Sequence, residues 1–192
     1  MASSSHEALV ATAGQCSTTV AERPSPVVIT AVRVEAMLSV RSWNPANRGP
    51  CVNAGKSLPT EVGATASGPT RALCLAPAEW LIASQEIDAA RLRAEIGRDL
   101  SAQNLVAVDL TSGLASFHVN GPVARHLLSK GCGLDFHPRS FPAQRCARTR
   151  FAQLATVIEC REDPSQFELH VGRSYAAFLR DWLLDAAREF GA

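Results

Sequence analysis

Strand-like runs that stand only a few residues apart set the strongest limit on how this chain can fold. Leu105-Val106-Ala107-Val108 is an apolar run closed by Asp109, and it reads as a buried strand. After a Thr111-Ser112-Gly113 turn a second strand is predicted from Leu114 to Asn120, with Ala115, Phe117 and Val119 alternating against Ser116, His118 and Asn120. Parallel neighbours need a crossover of about a dozen residues or more, and that length is missing here. The same closeness recurs between Arg71 and Ser84, a hairpin broken at Ala76-Pro77-Ala78-Glu79. Helices are mixed among these pairs. Ala89, Leu92, Ile96 and Leu100 form one stripe of a helix expected over Gln85–Leu100, with Arg91 and Glu95 an i,i+4 pair on its other side. Tyr175, Phe178, Leu179, Trp182, Leu183, Ala186 and Phe190 mark a closing helix, with Ser174 as its expected N-cap. The predicted order ββ-α-ββ-α-βββ-α is that of an α+β single domain, a mixed or antiparallel sheet with packed helices.

The remaining segments fit that plan unevenly. Val27–Val32 and Met37–Val40 have strand composition, Cys146–Leu154 and Ala155–Arg161 read as strands, and Phe167–Val171 alternates after an Asp163-Pro164-Ser165 turn. Residues 41–70 are rich in Pro, Gly, Asn and Ala and show no clear period, and a structureless stretch of that length in a compact domain is itself an argument for unseen strands. Residues 1–26 are rich in Ala, Ser and Thr and are expected to form a disordered or loosely attached tail, leaving 27–192 as the domain. Two ββα-like units are a weak echo of an internal repeat. The formal charge of +1, with 17 arginines and 2 lysines spread along the chain, points to no nucleic-acid or anionic-membrane partner. No apolar run approaches the roughly 20 residues of a membrane span. The first residues lack a basic and then apolar leader, and six cysteines without tight pairing fit reduced thiols and a cytoplasmic setting.

Chemistry-bearing residues gather between Asp109 and Arg150, which holds three of the five histidines. Gly121-Pro122 opens a short helix with Pro at its first position, Val123, Ala124, Leu127 and Leu128 inward, and Arg125, His126, Ser129 and Lys130 outward. Gly131 is expected to close it as a left-handed cap. Cys132, His137 and Cys146 supply three potential zinc ligands, but no fourth stands at a recognisable spacing, so a packed thiol and a backbone-bonded imidazole are the favoured reading. Cys132 follows a helix C-terminus, where the dipole disfavours a thiolate nucleophile. Asp109 and Asp135 are read as turn-capping carboxylates. Gly131-Cys132-Gly133 follows a helix and so fails the dinucleotide test. His170 alternates with Glu168 on a strand face assigned to the solvent or partner side. Trp80, Trp182 and Phe190 are read as core. Arg139, Arg145, Arg148 and Arg150 form the densest basic patch, a solvated face or a subunit contact. The residues by themselves describe a globular domain without a self-sufficient active site.

Several motifs in one order carry a family resemblance. Val108 to Gly113, Gly121 to Arg150, Phe167 to Ser174 and the upstream Arg71-Ala72-Leu73-Cys74-Leu75-Ala76-Pro77-Ala78-Glu79-Trp80-Leu81-Ile82 together resemble the gamma subunit of heterotetrameric sarcosine oxidase, from about Pro69 onward. Gly133, where the family commonly has proline, and the long front end depart from it. The resemblance implies a fold like that of the folate-binding aminomethyltransferases and an accessory role beside alpha, beta and delta subunits. It places FAD, FMN, NAD and tetrahydrofolate on other subunits and assigns this chain no catalytic, cofactor or metal residue. Lys130, Gly131, Cys132, Asp135, His137, Pro138 and Arg139 are then read as shaping a loop or an inter-subunit surface. Two other readings stay open: the equivalent subunit of an N-methylglutamate-type dehydrogenase, and a free-standing folate-fold protein.

Overall fold

The computed structural model describes residues 26–44, 51–52, 56–102 and 104–191. Residues 1–25 of the expected 1–26 tail lie outside the described residues. Twelve strands appear: β1 (Val28–Val32), β2 (Ala36–Ser42), β3 (Cys51–Val52), β4 (Lys56–Ser57), β5 (Thr65–Ala66), β6 (Thr70–Ala76), β7 (Glu79–Ser84), β8 (Leu105–Asp109), β9 (Leu114–Asn120), β10 (Arg145–Phe151), β11 (Leu154–Cys160) and β12 (Gln166–Gly172). The helices are α1 (Ala89–Ala102), α2 (Ala124–Ser129) and α3 (Ala176–Ala187), the last flanked by 3-10 turns at Arg173–Tyr175 and Arg188–Phe190. The unpatterned stretch after β2 thus holds β3, β4 and β5.

Two five-stranded sheets form, ordered β1-β9-β12-β11-β10 and β5-β6-β7-β2-β8, with β3 and β4 as a separate hairpin. Every pairing is antiparallel. The close pair β8 and β9 do not pair with each other. The turn at Thr111–Gly113 is a corner between the sheets, held where the Met37 N–H donates to Thr111 Oγ1 at 2.9 Å and the Leu110 N–H to the Met37 carbonyl at 2.8 Å.

The two sheets are built alike. β7, α1 and β8 make a crossover around β2, so β7 and β8 run parallel with β2 antiparallel between them. β12 leads into α3, and β1 fills the slot beside β9 that β8 fills beside β2. One ββα unit, β6-β7-α1 or β11-β12-α3, therefore anchors each sheet.

Strand alternation produces four layers. Phe117, Val119, Ile158, Phe167 and Leu169 pack on α2 and α3, while Leu38, Val40, Trp80 and Ile82 pack on Leu92 and Ile96 of α1. The opposite faces meet each other through Met37, Leu73, Leu81, Ala83 and Cys146. Along one edge the sheets nearly join, with Thr65 N–H donating to the Gln144 carbonyl at 3.1 Å and Cys146 N–H to the Gly63 carbonyl at 2.7 Å.

Local chemistry explains several boundaries. Asp88 caps α1, its Oδ1 accepting the Arg91 N–H at 2.8 Å, so the helix starts later than Gln85. Ser174 caps nothing; α3 is entered through the 3-10 turn, and no side chain bonds its N-terminus. The buried stripe of α3 is Leu179, Leu183 and Ala187, leaving Tyr175 and Phe178 about half exposed. α2 begins at Ala124 with Val123 as its cap, so Pro122 stands outside the helix. Gly131 is not among the left-handed residues; a Cβ there would meet the Phe151 ring at 2.3 Å, and this close approach is what requires glycine.

Candidate functional site

The loop after α2 is held from within the chain. Arg125, expected to face solvent, turns inward: its Nη1 donates to the carbonyls of Phe136 at 2.5 Å and Phe141 at 2.9 Å, and its Nε to that of Pro164 at 3.1 Å. The guanidinium also lies 5.0 Å from the Phe167 ring centre. Phe136 and Phe141 are buried and meet edge-to-face. Arg125 and these two rings fix the loop; its place at the border of the apolar stripe of α2 does not reveal this, because a long charged side chain there normally snorkels outward.

The sequence-nominated residues divide into two groups. Lys130 reaches back to the Glu189 carboxylate and the Phe190 ring, Gly131 lies under Phe151, and Cys132 packs against the helix-side core. Asp135, His137, Pro138 and Arg139 are exposed. Asp135 Oδ1 accepts the His137 N–H at 2.9 Å, and His137 Nδ1 accepts the Arg139 N–H at 3.3 Å. Bonds from the Ser140 hydroxyl and the His137 N–H hold the Asp135 carboxyl below its ordinary range. Asp109 does the same for its turn, accepting the Thr111 N–H at 2.8 Å. Cys146 lies between the sheets, on the opposite face from Cys132, so the three supposed zinc ligands do not converge. Burial, then the nearby Glu159, push the Cys146 thiol up to about 12.

The strongest concentration of charge lies between the sheets. Arg71 of β6 crosses to Glu168 at 2.8 Å and Glu159 at 3.3 Å, and Arg161 joins Glu168 at 2.9 Å. His118 Nε2 meets Glu168 Oε2 at 2.9 Å, and Ser116 Oγ meets His170 Nδ1 at 2.8 Å. Burial alone would raise the Glu168 carboxyl, but the His118 bond and the surrounding positive charges hold it at about 2. Burial outweighs those cations at Glu159, whose carboxyl is raised. Burial, with Arg71 and Arg161 opposing the pull of Glu168, lowers His170 to about 4. His170 and Glu168 are thus wholly buried, not on a solvent or partner face. Alternation correctly puts them on one side of β12, and only the second sheet makes that side interior. The arrangement joins the two sheets through Arg71, and it reaches solvent through the partly exposed His118 and Arg161.

Where the inter-sheet face of β2 and β8 runs past the other sheet, it presents a different surface. Ser39, Arg41, Trp43, Val106, Val108 and Leu110 line a groove of 330 Å³, with Trp43 88% exposed and Val106 and Val108 53% and 51% exposed. An apolar face with an aromatic anchor and few polar groups suits contact with another protein. Arg148 and Arg145 of the basic patch pair with Glu79 and Glu61. Among the described residues no three His, Cys, Asp or Glu side chains are grouped to hold a metal. Among those residues, too, no helix is long and apolar enough to cross a membrane.

Two antiparallel sheets back to back, with α2 and α3 outside one and α1 outside the other, define an α+β fold shared with the glycine cleavage system aminomethyltransferase T of Bartonella henselae, which superposes with TM-score 0.56 at 14% identity over 83% of this chain and 46% of that one. The narrower assignment comes from sequence. The model of the sarcosine oxidase, gamma subunit family matches residues 45–189, and this chain belongs to that family. It is 31% identical to the sarcosine oxidase subunit gamma of Corynebacterium sp. (strain U-96) over 143 residues, 72% of this chain and 67% of that protein. It is 29% identical to the Arthrobacter sp. subunit gamma over 140 residues, 72% of this chain and 68% of that one. A chain of the heterotetrameric sarcosine oxidase from Corynebacterium sp. U-96, solved in complex with pyrrole 2-carboxylate, superposes with TM-score 0.77 at 26% identity over 88% of both chains.

Proposed function

We propose that this chain is a non-catalytic accessory subunit of a flavin-containing heterotetrameric sarcosine oxidase, assembled with alpha, beta and delta subunits. That complex demethylates sarcosine oxidatively to glycine, reduces oxygen to hydrogen peroxide and delivers the one-carbon unit to tetrahydrofolate. FAD, FMN, NAD and tetrahydrofolate are placed on the partner subunits. The observation that carries the reading is the superposition over 88% of both chains on one chain of the Corynebacterium oxidase. The interior supports an accessory role, because its polar groups converge on Arg71, Glu159, Glu168 and His170, all buried and linked to one another. The β2–β8 groove and the exposed side chains of Asp135, His137, Pro138 and Arg139 are the surfaces assigned to partner subunits.

The test is a tagged pull-down of the chain from its own cells, with a visible spectrum and a peroxide assay on the eluate. A yellow complex of larger partners making peroxide from sarcosine is expected. A yellow complex inert to sarcosine but active on another secondary amine, such as N-methylglutamate, would move the substrate assignment. A colourless lone chain, recovered while the partners are expressed, would sink the subunit reading.

A further inference from the structure

We propose that the pocket where the chain crosses between the two sheets binds a small organic monoanion, a carboxylate head on an apolar body. The pocket measures 430 Å³ and lies between the β1–β2 connection, the β8–β9 corner and the start of α3. That volume falls within the range of small-molecule sites, about 300 to 1,000 Å³. Val32, Val34, Met37 and Leu114 give it an apolar wall, and the charged residues in its lining are Arg33 and Arg173, with no carboxylate among them.

Arg173 is a fixed cation. Its Nε donates to the Ser112 carbonyl at 2.6 Å, and its Nη2 to the carbonyls of Leu114 at 2.7 Å and Thr111 at 3.3 Å. Among the described residues no carboxylate pairs with it, and its Nη1 makes no hydrogen bond. Three carbonyls hold the group in place without cancelling its charge, so a ligand carboxylate meets a donor that is already oriented. Arg33 pairs with Glu35 at 2.8 Å on an 86% exposed side chain, a contact weak enough for a ligand to share. The other polar groups in the wall are occupied. Thr111 accepts the Met37 N–H and bonds Asp109, and Ser116 bonds His170. The pocket therefore offers guanidinium donors and apolar area and little else, which selects a carboxylate with an apolar body over a sugar or a neutral amide.

The test is a titration of the isotope-labelled full-length chain with cyclohexanecarboxylate, and with cyclohexanecarboxamide as its neutral counterpart, followed through the backbone amide shifts of 31–34 and 111–116. The acid should shift those amides saturably and bind at least about tenfold tighter than the amide. Arg33→Gln should weaken the acid by about threefold. Ala31→Phe adds a ring from an exposed position in the lining, and should abolish binding while leaving the thermal midpoint unchanged. Absence of a saturable shift at these amides, equal affinity for acid and amide, or unchanged affinity in a folded Ala31→Phe chain would each overturn the proposal. The free chain is the sample, so the result does not depend on assembly with other subunits.

Discussion

His170 shows what the two-sheet arrangement does to a single side chain. Its imidazole is wholly buried, bonded through Nδ1 to Ser116, with Nε2 unpartnered among the described residues. Its environment includes Glu168 beside it on β12, His118 on β9, and the guanidiniums of Arg71 and Arg161. The group lies at about 4 in the fold against about 6.5 when unfolded, so between those values the unfolded chain binds more protons. Stability is therefore fully present above about pH 6.5 and falls as pH drops toward 4, by about 3 kcal/mol from this residue. Glu168, lowered to about 2, extends the loss below its unfolded value of about 4.5. Glu159 is raised and works the other way, since its folded form gains from taking up a proton as pH falls. The urea midpoint of the chain should thus drop between pH 7 and pH 4.5, and His170→Gln should flatten that drop; equal slopes for the two proteins would remove His170 as the cause. Glu168→Gln removes the nearer of the two carboxylates that Arg71 and Arg161 share, leaving them only Glu159 at 3.3 and 3.8 Å, and should lower stability at pH 7 by about 3 kcal/mol in the same assay. The sequence shows which side chains share a strand face, because that follows from the backbone period. It does not show whether that face meets water or a second sheet, since the pairing partner is tens of residues away.

At the level of elements, local signals were legible where one neighbour decides the outcome. The β6–β7 hairpin, the stripe of α1 and the Asp163 turn follow from alternation, helical spacing and an Asx carboxylate. The β8–β9 corner did not, because a short connection fixes only that two strands are sequential; whether they pair depends on the remote partners β2 and β12. Gly131 was legible as special but for the wrong reason. Phe151 fills the space over its Cα and itself stacks edge-on against Trp182 at 4.9 Å, so the ring has little room to give. Gly131→Ala should cost about 1–3 kcal/mol by denaturant unfolding, and adding Phe151→Leu should recover part of the loss relative to Phe151→Leu alone. Absence of that coupling would mean the contact is relieved elsewhere. The β10–β11 hairpin makes a second case. Ala152 and Gln153 form its two-residue turn with φ of 47° and 70°, a conformation that disfavours ordinary side chains. Replacing them with Asn-Gly should raise stability by about 1 kcal/mol, read as a higher denaturation midpoint at unchanged slope.

For the whole molecule, the uncovered surface carries the functional argument. Each sheet has one side on its helices and the other against its neighbour, but the inner face of the β2–β8 edge extends past that contact and leaves Val106, Val108 and Trp43 uncovered. Below them the β8 backbone is guarded, since Arg93 Nη1 donates to the Ala107 carbonyl at 2.8 Å. A side-chain donor on an outer strand limits uncontrolled strand addition, so contact is steered to the side chains. A charge placed in the centre of an apolar interface must be desolvated on assembly, whereas on the free chain it stays in water. Val106→Glu together with Val108→Glu should leave the thermal midpoint of the free chain nearly unchanged while cutting recovery with the flavin-bearing partners by about tenfold or more. Asp135→Ala and His137→Ala test the other assigned surface in the same pull-down, and each should reduce assembly without altering the flavin spectrum of whatever complex remains. If the double glutamate variant assembles normally, the groove is not where the subunits meet. If the loop variants assemble normally but change turnover, the loop acts on the chemistry of the complex and not on its construction.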